Sequence, residues 1–201
     1  MLIEERGLRI LTDPGTYSEG QNSVPDIHCI LITHEHQDHL HIDSLKKVLN
    51  NNPLAKIFTN KGVGVLLEKE SIPYTLLESG ESVTEKGVSI EAFGEKHAAM
   101  HPDLPRVDNT GFLIGKRLFY PGDALTSPSV PVEMLALPVA GPWLKLSEAI
   151  EYTKEIHPKI CFPVHEGILK SPGSTHLIPP KILEPLGIKF LVLGIGKETS
   201  L

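Results

Sequence analysis

The sequence predicts an α/β fold of two stacked, mixed sheets with helices on their outer faces. The chain has 201 residues, which suits one domain with a sizeable core. Short apolar runs typical of buried strands alternate with segments of helical spacing. A strand followed by a loop rich in metal-binding residue types recurs in both halves of the chain. This recurrence favours two sheets of similar construction.

Composition indicates a globular protein, with 40% apolar and 22% charged residues. The net charge of −6 argues against nucleic acid as a partner, because a phosphate backbone favours a basic surface. The sequence has no apolar run long enough to span a membrane and no signal-peptide pattern, so we expect a cytoplasmic protein with no membrane partner. Cys29 and Cys161 lie in apolar runs, which predicts buried thiols.

The first half of the chain is predicted to contain five strands and two helices. The strands are expected at 2–12, as a pair around the turn at 5–7, and at 27–33, 55–59 and 74–77. A loop should cover 16–26. The first helix should begin with Asp43 as its cap and stop at the turn residues 50–53, and the second should span 61–69.

The second half is predicted to contain two hairpins, three further strands and one helix. The hairpins are expected at 83–93 and 109–121, and the strands at 134–140, 159–164 and 187–194. The helix should begin at Ser147, with Ala149, Ile150 and Ile156 facing inward, and a loop should cover 171–180.

The main chemical signal lies between Thr33 and His39, directly after an apolar run typical of a buried strand. His34 and His36 are two residues apart, so they point the same way while the chain stays extended. Asp38 and His39 follow where the chain turns, so they can face a second point nearby. Imidazole nitrogen and carboxylate oxygen suit zinc, and also manganese or iron. The stretch therefore predicts a metal site, with room for two ions.

The order His-x-His-x-Asp-His after a strand resembles the signature of the metallo-β-lactamase superfamily, and the resemblance covers roughly residues 8–195. It implies a four-layer αββα sandwich that forms a single domain over residues 1–201. Members usually carry one more strand, with a Gly-His pair, before the part that aligns here. The resemblance therefore implies that this chain lacks that strand or is a shortened form.

The resemblance also implies a ligand set. The first ion would be bound by His34, His36 and His97, the second by Asp38, His39 and His165, and Asp123 would bridge them. His97 is preferred to His101 because it follows its strand directly; His101 would then line the pocket or be solvated. Asp13 would support the site from outside, with a plain turn as the alternative.

These residues imply a metal-dependent hydrolase in which two divalent ions activate a water molecule. Zinc is the first expectation, with manganese or iron as alternatives. Asp38, Asp123 and His101 are the catalytic candidates, and His101 and His176 are the candidate proton donors. Asp123 stands where a true β-lactamase typically has Cys or Ser, which argues against antibiotic hydrolysis.

The substrate is expected to be a small ester, lactone or phosphodiester. The short chain resembles the L-ascorbate-6-phosphate lactonase group among compact members. Four cations could contact an anionic substrate, although solvated-surface roles are the simpler interpretation: Lys96, Arg106, Lys145 and Lys170. A metal-binding protein without hydrolytic turnover and a nuclease are the alternatives, and the oligomeric state is open.

Overall fold

The computed structural model describes all 201 residues, which form twelve strands and five α-helices. The strands are β1 Leu2–Glu5, β2 Leu8–Thr12, β3 Cys29–Ile32, β4 Lys56–Thr59, β5 Thr75–Leu76, β6 Ser82–Glu85, β7 Val88–Phe93, β8 Gly111–Ile114, β9 Leu118–Tyr120, β10 Met134–Pro138, β11 Ile160–Val164 and β12 Lys189–Phe190. The helices are α1 Ile42–Asn51, α2 Lys61–Lys69, α3 Leu146–Ile156, α4 Ser174–Leu177 and α5 Pro179–Leu183. None of the helices has the length and apolar character needed to cross a bilayer.

Both sheets are mixed, as predicted. The first has the order β1-β2-β3-β4-β5, with β1 antiparallel to β2 and the other neighbours parallel. The second has the order β12-β11-β10-β9-β8-β7-β6, parallel from β12 to β9 and antiparallel from β9 to β6. Every residue of β3 and β10 is buried, as expected for strands whose sheets are covered on both faces.

The core consists of three apolar layers, which define the four-layer sandwich. Between the sheets, Leu31 and Phe58 of the first sheet pack with Ile90 and Phe112 of the second. The outer face of the first sheet is covered by α1 and α2 through Leu45, Val48, Val63 and Leu67. The outer face of the second is covered by α3 and α5 through Ala149, Ile150, Tyr152 and Leu183. The predicted αββα layering is therefore confirmed.

The structure corrects three of the sequence predictions. The segment 171–180, predicted as a loop, contains α4 and the start of α5, where Pro179 occupies the first helical turn that proline favours. The closing strand predicted at 187–194 is reduced to β12, because only Lys189 and Phe190 pair with β11. Helix α1 begins one residue before Asp43, after an extended His41, and Asp43 lies in its first turn.

Candidate metal centre

Seven polar side chains from four loops converge at one edge of the sandwich. The loops follow β3, β7, β9 and β11, and their side chains form two groups. The first group is His34, His36 and His97, and the second group is Asp38, His39, Asp123 and His165. Within each group the candidate ligand atoms all lie within 4.8 Å of one another. The structure thus brings together all seven residues that the resemblance implied as ligands.

The distances within the groups suit bound ions. The His34 Nε2 and His36 Nδ1 atoms are 3.1 Å apart, and His39 Nε2 is 3.2 Å from Asp123 Oδ1. Two ligand atoms on one tetrahedral ion lie about 3.3 to 3.6 Å apart when each is about 2.0 to 2.2 Å from the metal. Asp123 Oδ2 is 3.1 Å from His165 Nε2 and 3.4 Å from His97 Nε2, so this carboxylate lies between the two groups.

Two buried polar atoms in the second group have no hydrogen-bond partner. They are His39 Nε2 and Asp123 Oδ1, which face each other. Buried polar atoms are nearly always paired, and an unpaired one commonly marks a site for an ion or water. A divalent cation would satisfy both atoms, and the nitrogen and oxygen donors suit zinc, manganese or iron. The residues therefore fit a metal ion.

Three of the imidazoles are held through their Nδ1 atoms. These atoms lie 2.6 Å from the Ala98 carbonyl for His97 and 2.7 Å from the Ala140 carbonyl for His165. For His39 the partner is Asp13 Oδ2, at 2.7 Å. In a neutral ring, an Nδ1–H that donates to an oxygen leaves Nε2 unprotonated and fixes the ring plane. Each ring, once neutral, therefore directs its Nε2 lone pair toward its group.

Asp13 organises the outer side of the second group. Besides contacting His39, its carboxylate accepts hydrogen bonds from the Thr33 backbone N–H at 2.8 Å, the Thr33 hydroxyl at 2.7 Å and the Tyr120 hydroxyl at 2.7 Å. The chain then passes directly beneath the metal-binding loop at Gly15, where a Cβ atom would lie 1.7 Å from the Asp38 carbonyl oxygen. The turn at Asp13–Gly15 therefore also contacts the second group from outside, through Asp13, and packs against the loop that carries Asp38.

The charge states of the two groups differ. Burial lowers the pKa of His34 well below its usual value, and it also lowers the pKa of His36, so both rings are neutral near pH 7 and able to bind a cation. Burial also opposes the charge on His39, but Asp13 and Asp123 outweigh it and raise its pKa to about 9. For His165, hydrogen bonds to Asp123 and Asp38 outweigh burial and raise the pKa to about 10. The carboxylates that attract these protons would equally attract a divalent cation.

Two residues that fix Asp123 were given no role by the sequence analysis. The Asn109 side chain accepts a hydrogen bond from the Asp123 backbone N–H at 3.0 Å and donates one to the Pro121 carbonyl at 2.9 Å. Trp143 Nε1 donates to Asp123 Oδ2 at 2.8 Å. The available signal was that Gly141-Pro142-Trp143 follows a strand, as the ligands do.

The structure does not bring the two candidate proton donors into either group. His101 lies in the loop between β7 and β8 with 61% of its side chain exposed, and its Nδ1 accepts a hydrogen bond from the Asp103 backbone at 3.2 Å. His176 on α4 is paired through its Nε2 with the Glu166 carboxylate. A catalytic role for His101 therefore stays a prediction.

Replacing His97 and His101 separately with alanine should give different metal contents. We expect His97→Ala to lose about one ion per chain. The first group would keep only two of its three imidazoles, and two nitrogen ligands should bind an ion much more weakly than three. His101→Ala should keep the full complement, since its ring is solvated. Elemental analysis of both variants after dialysis checks this, and equal losses in the two would contradict the choice of His97.

A small cleft adjoins the first group. Its floor includes His36 and His97, and its wall is the segment after β7: Ala98, Met100, Leu104, Pro105, Arg106 and Val107. Met100 and Leu104 are 45% and 53% exposed, which leaves apolar side chains at the entrance. The lining of this cleft thus combines two imidazoles of the first group with apolar side chains and one arginine.

A model of the β-lactamase superfamily domain matches residues 1–165 of this sequence. The chain belongs to this family. Over 198 residues this β-lactamase superfamily protein is 33% identical to protein Rv0786c of Mycobacterium tuberculosis, a match covering 96% of this chain and 92% of the relative. It is 28% identical over 191 residues to the UPF0173 metal-dependent hydrolase of Methanobrevibacter smithii, which covers 82% of this chain and 76% of that protein.

The structure of Igni18, a novel metallo hydrolase from the archaeon Ignicoccus hospitalis, has the same fold as this superfamily member. The TM-score is 0.74 at 19% identity, and the match covers 98% of this chain and 91% of that one. The family and the fold implied by the metallo-β-lactamase resemblance are both confirmed.

Proposed function

We propose that this protein is a metal-dependent hydrolase that uses two divalent ions to cleave a small ester, lactone or phosphodiester. One observation carries the proposal: two adjoining groups of nitrogen and carboxylate ligand atoms share one edge of the sandwich, with Asp123 between them. The relative from Methanobrevibacter smithii, named a metal-dependent hydrolase, supports the same class of reaction.

Each group has a defined role in this proposal. The first group would hold one ion and the second group the other, with Asp123 available to both, and zinc is the first expectation with manganese or iron as alternatives. When bound, such ions supply an activated water and polarise the bond to be cleaved. The protein's own contribution is orientation. Asp13 holds His39, and the Ala98 and Ala140 carbonyls hold His97 and His165, so the Nε2 atoms need not reorganise.

The cleft supports a small substrate with an apolar portion beside the first group. Arg106 lines this cleft and also a shallow, open groove whose other polar residues are Ser79, Glu95, Lys96, Thr126, Ser127 and Ser129. A guanidinium at the junction favours a substrate that also carries an anionic group, because carboxylate and phosphate oxygens can accept two parallel hydrogen bonds from it.

Arg106→Ala should raise KM for an anionic ester by about tenfold, the loss of one charge-assisted contact. KM for a neutral ester of the same shape should change little. Arg6→Ala, in the turn between β1 and β2, removes an exposed arginine from a different loop and serves as the control. KM measured for both esters with each variant checks this expectation. An equal change in KM for the two esters would contradict a role of Arg106 in binding the anionic group.

The proposal is tested by assaying purified protein against bis-p-nitrophenyl phosphate and panels of neutral and anionic esters and lactones. We expect turnover that a chelator abolishes and that zinc or manganese restores. A protein that binds metal but hydrolyses no compound in any panel would instead be the metal-binding protein without turnover. A higher kcat/KM for the compounds of one panel would identify the substrate class. The likeness to the L-ascorbate-6-phosphate lactonase group and the cytoplasmic location stay predictions.

A further inference from the structure

Trp143 is the only tryptophan of the chain, and its indole N–H is directed at the shared carboxylate. It lies five residues after β10 and is buried, with its Nε1 atom 2.8 Å from Asp123 Oδ2. Its ring also contacts both groups: the centroid is 5.7 Å from that of His97 and 6.3 Å from that of His165, both near edge-to-face. One side chain therefore touches the bridging carboxylate and one imidazole of each group.

The backbone beside Trp143 is shaped to admit the indole. Gly141 has φ +153°, a conformation that side chains rarely adopt, and a Cβ atom there would lie 2.7 Å from Trp143 Nε1. The preceding carbonyl, that of Ala140, contacts His165 Nδ1. The short segment after β10 thus fixes both Asp123 and His165, and it depends on glycine at position 141.

The indole makes the two oxygens of Asp123 different. Oδ2 accepts the Trp143 hydrogen bond and faces His165 and His97, whereas Oδ1 has no hydrogen-bond partner and faces His39. A carboxylate can rotate about its Cβ–Cγ bond and exchange its oxygens. A hydrogen bond to one oxygen opposes that rotation, and burial strengthens the bond.

We propose that Trp143 is a positioning residue for the shared carboxylate. Its N–H fixes the rotation of Asp123 so that Oδ1 is held toward His39 and Oδ2 toward His165, and it thereby sets the affinity of the second group for its ion. The inference rests on the two-ion site proposed above. Trp143 is not a member of either ligand group, so it would act through Asp123.

Zinc titration of the chelator-treated protein tests this, without any substrate. We expect Trp143→Phe, which keeps an aromatic ring but lacks the donor, to weaken binding of the second zinc ion by about 10- to 100-fold. Binding of the first ion should change less, because three imidazoles also hold it. Tyr152→Phe is the matched control: it removes another buried aromatic donor, the hydroxyl that bonds the Thr126 carbonyl at 2.7 Å, and should bind both ions like the wild type. Equal second-ion affinity in Trp143→Phe and wild type would overturn the inference.

Fluorescence gives a second readout, because all tryptophan emission comes from Trp143. In the wild type we expect emission to change as the second equivalent of zinc binds. The emission change reports on the indole in the wild-type protein, so it tests the inference even if circular dichroism shows that Trp143→Phe is unfolded. Emission that stays constant through both equivalents would contradict the inference, whereas a wild type that binds fewer than two zinc ions would overturn the two-ion site itself.

Discussion

Replacing Asp123 with asparagine is expected to remove the second ion and nearly all turnover. Asn keeps the size of the side chain but lacks the charge and the second oxygen that face His39 and His165. Changing a residue that merely supports a metal ligand typically costs about 10- to 100-fold in affinity or activity, so loss of the bridging carboxylate should cost more than about 100-fold in kcat. Metal content and kcat measured on the same preparation check both expectations.

The matched control for Asp123 is Asp103→Asn, which makes the same chemical change on a side chain that is 89% exposed. This control should keep both ions and full activity. Full activity in Asp123→Asn would contradict the bridging role. Loss of activity with both ions retained would show that Asp123 acts on the substrate rather than on the metals.

Replacing Asp13 with alanine is expected to destabilise the protein and weaken the second group together. The change leaves Thr33, Tyr120 and His39 without the acceptor they share in a buried setting, where the Asp13 side chain is only 5% exposed. Breaking a buried charged network of this kind costs about 3 to 5 kcal/mol. Affinity for the second ion should fall by about 10- to 100-fold, because His39 is no longer oriented.

Urea unfolding of chelator-treated protein measures how far Asp13→Ala lowers the free energy of unfolding, without the contribution of bound metal. Tyr120→Phe is the control, since it removes one of the four donors to Asp13 and should cost about 1 kcal/mol. If Asp13→Ala and Tyr120→Phe lowered the free energy of unfolding by the same amount, Asp13 would not be the hub of this network.

The parts of the site that were predictable from sequence are local in the chain. His34, His36, Asp38 and His39 share one short loop after an apolar strand, and that spacing already separates them into two directions. His97 could be preferred to His101 because it lies closer to the end of its strand, and the structure places only His97 beside His34 and His36. Runs of apolar residues likewise predict the strands, whereas the arrangement in two mixed sheets was implied by the metallo-β-lactamase resemblance.

The remaining features depend on contacts that spacing does not reveal. Asn109 and Trp143 hold Asp123 from 14 and 20 residues away, and nothing local to either residue marks that partner. The shortening of the last strand to β12 reflects its position at the edge of the second sheet, where only two residues pair. Helices α4 and α5 are four and five residues long, too short for a clear helical period.

The most direct test of the two-ion site is the metal content of untagged protein by elemental analysis. We expect about two divalent ions per chain, removed by a chelator and restored by zinc or manganese, because the structure offers two complete donor groups. A protein that contains no metal, and that neither zinc nor manganese can reload, would contradict the assignment of both groups.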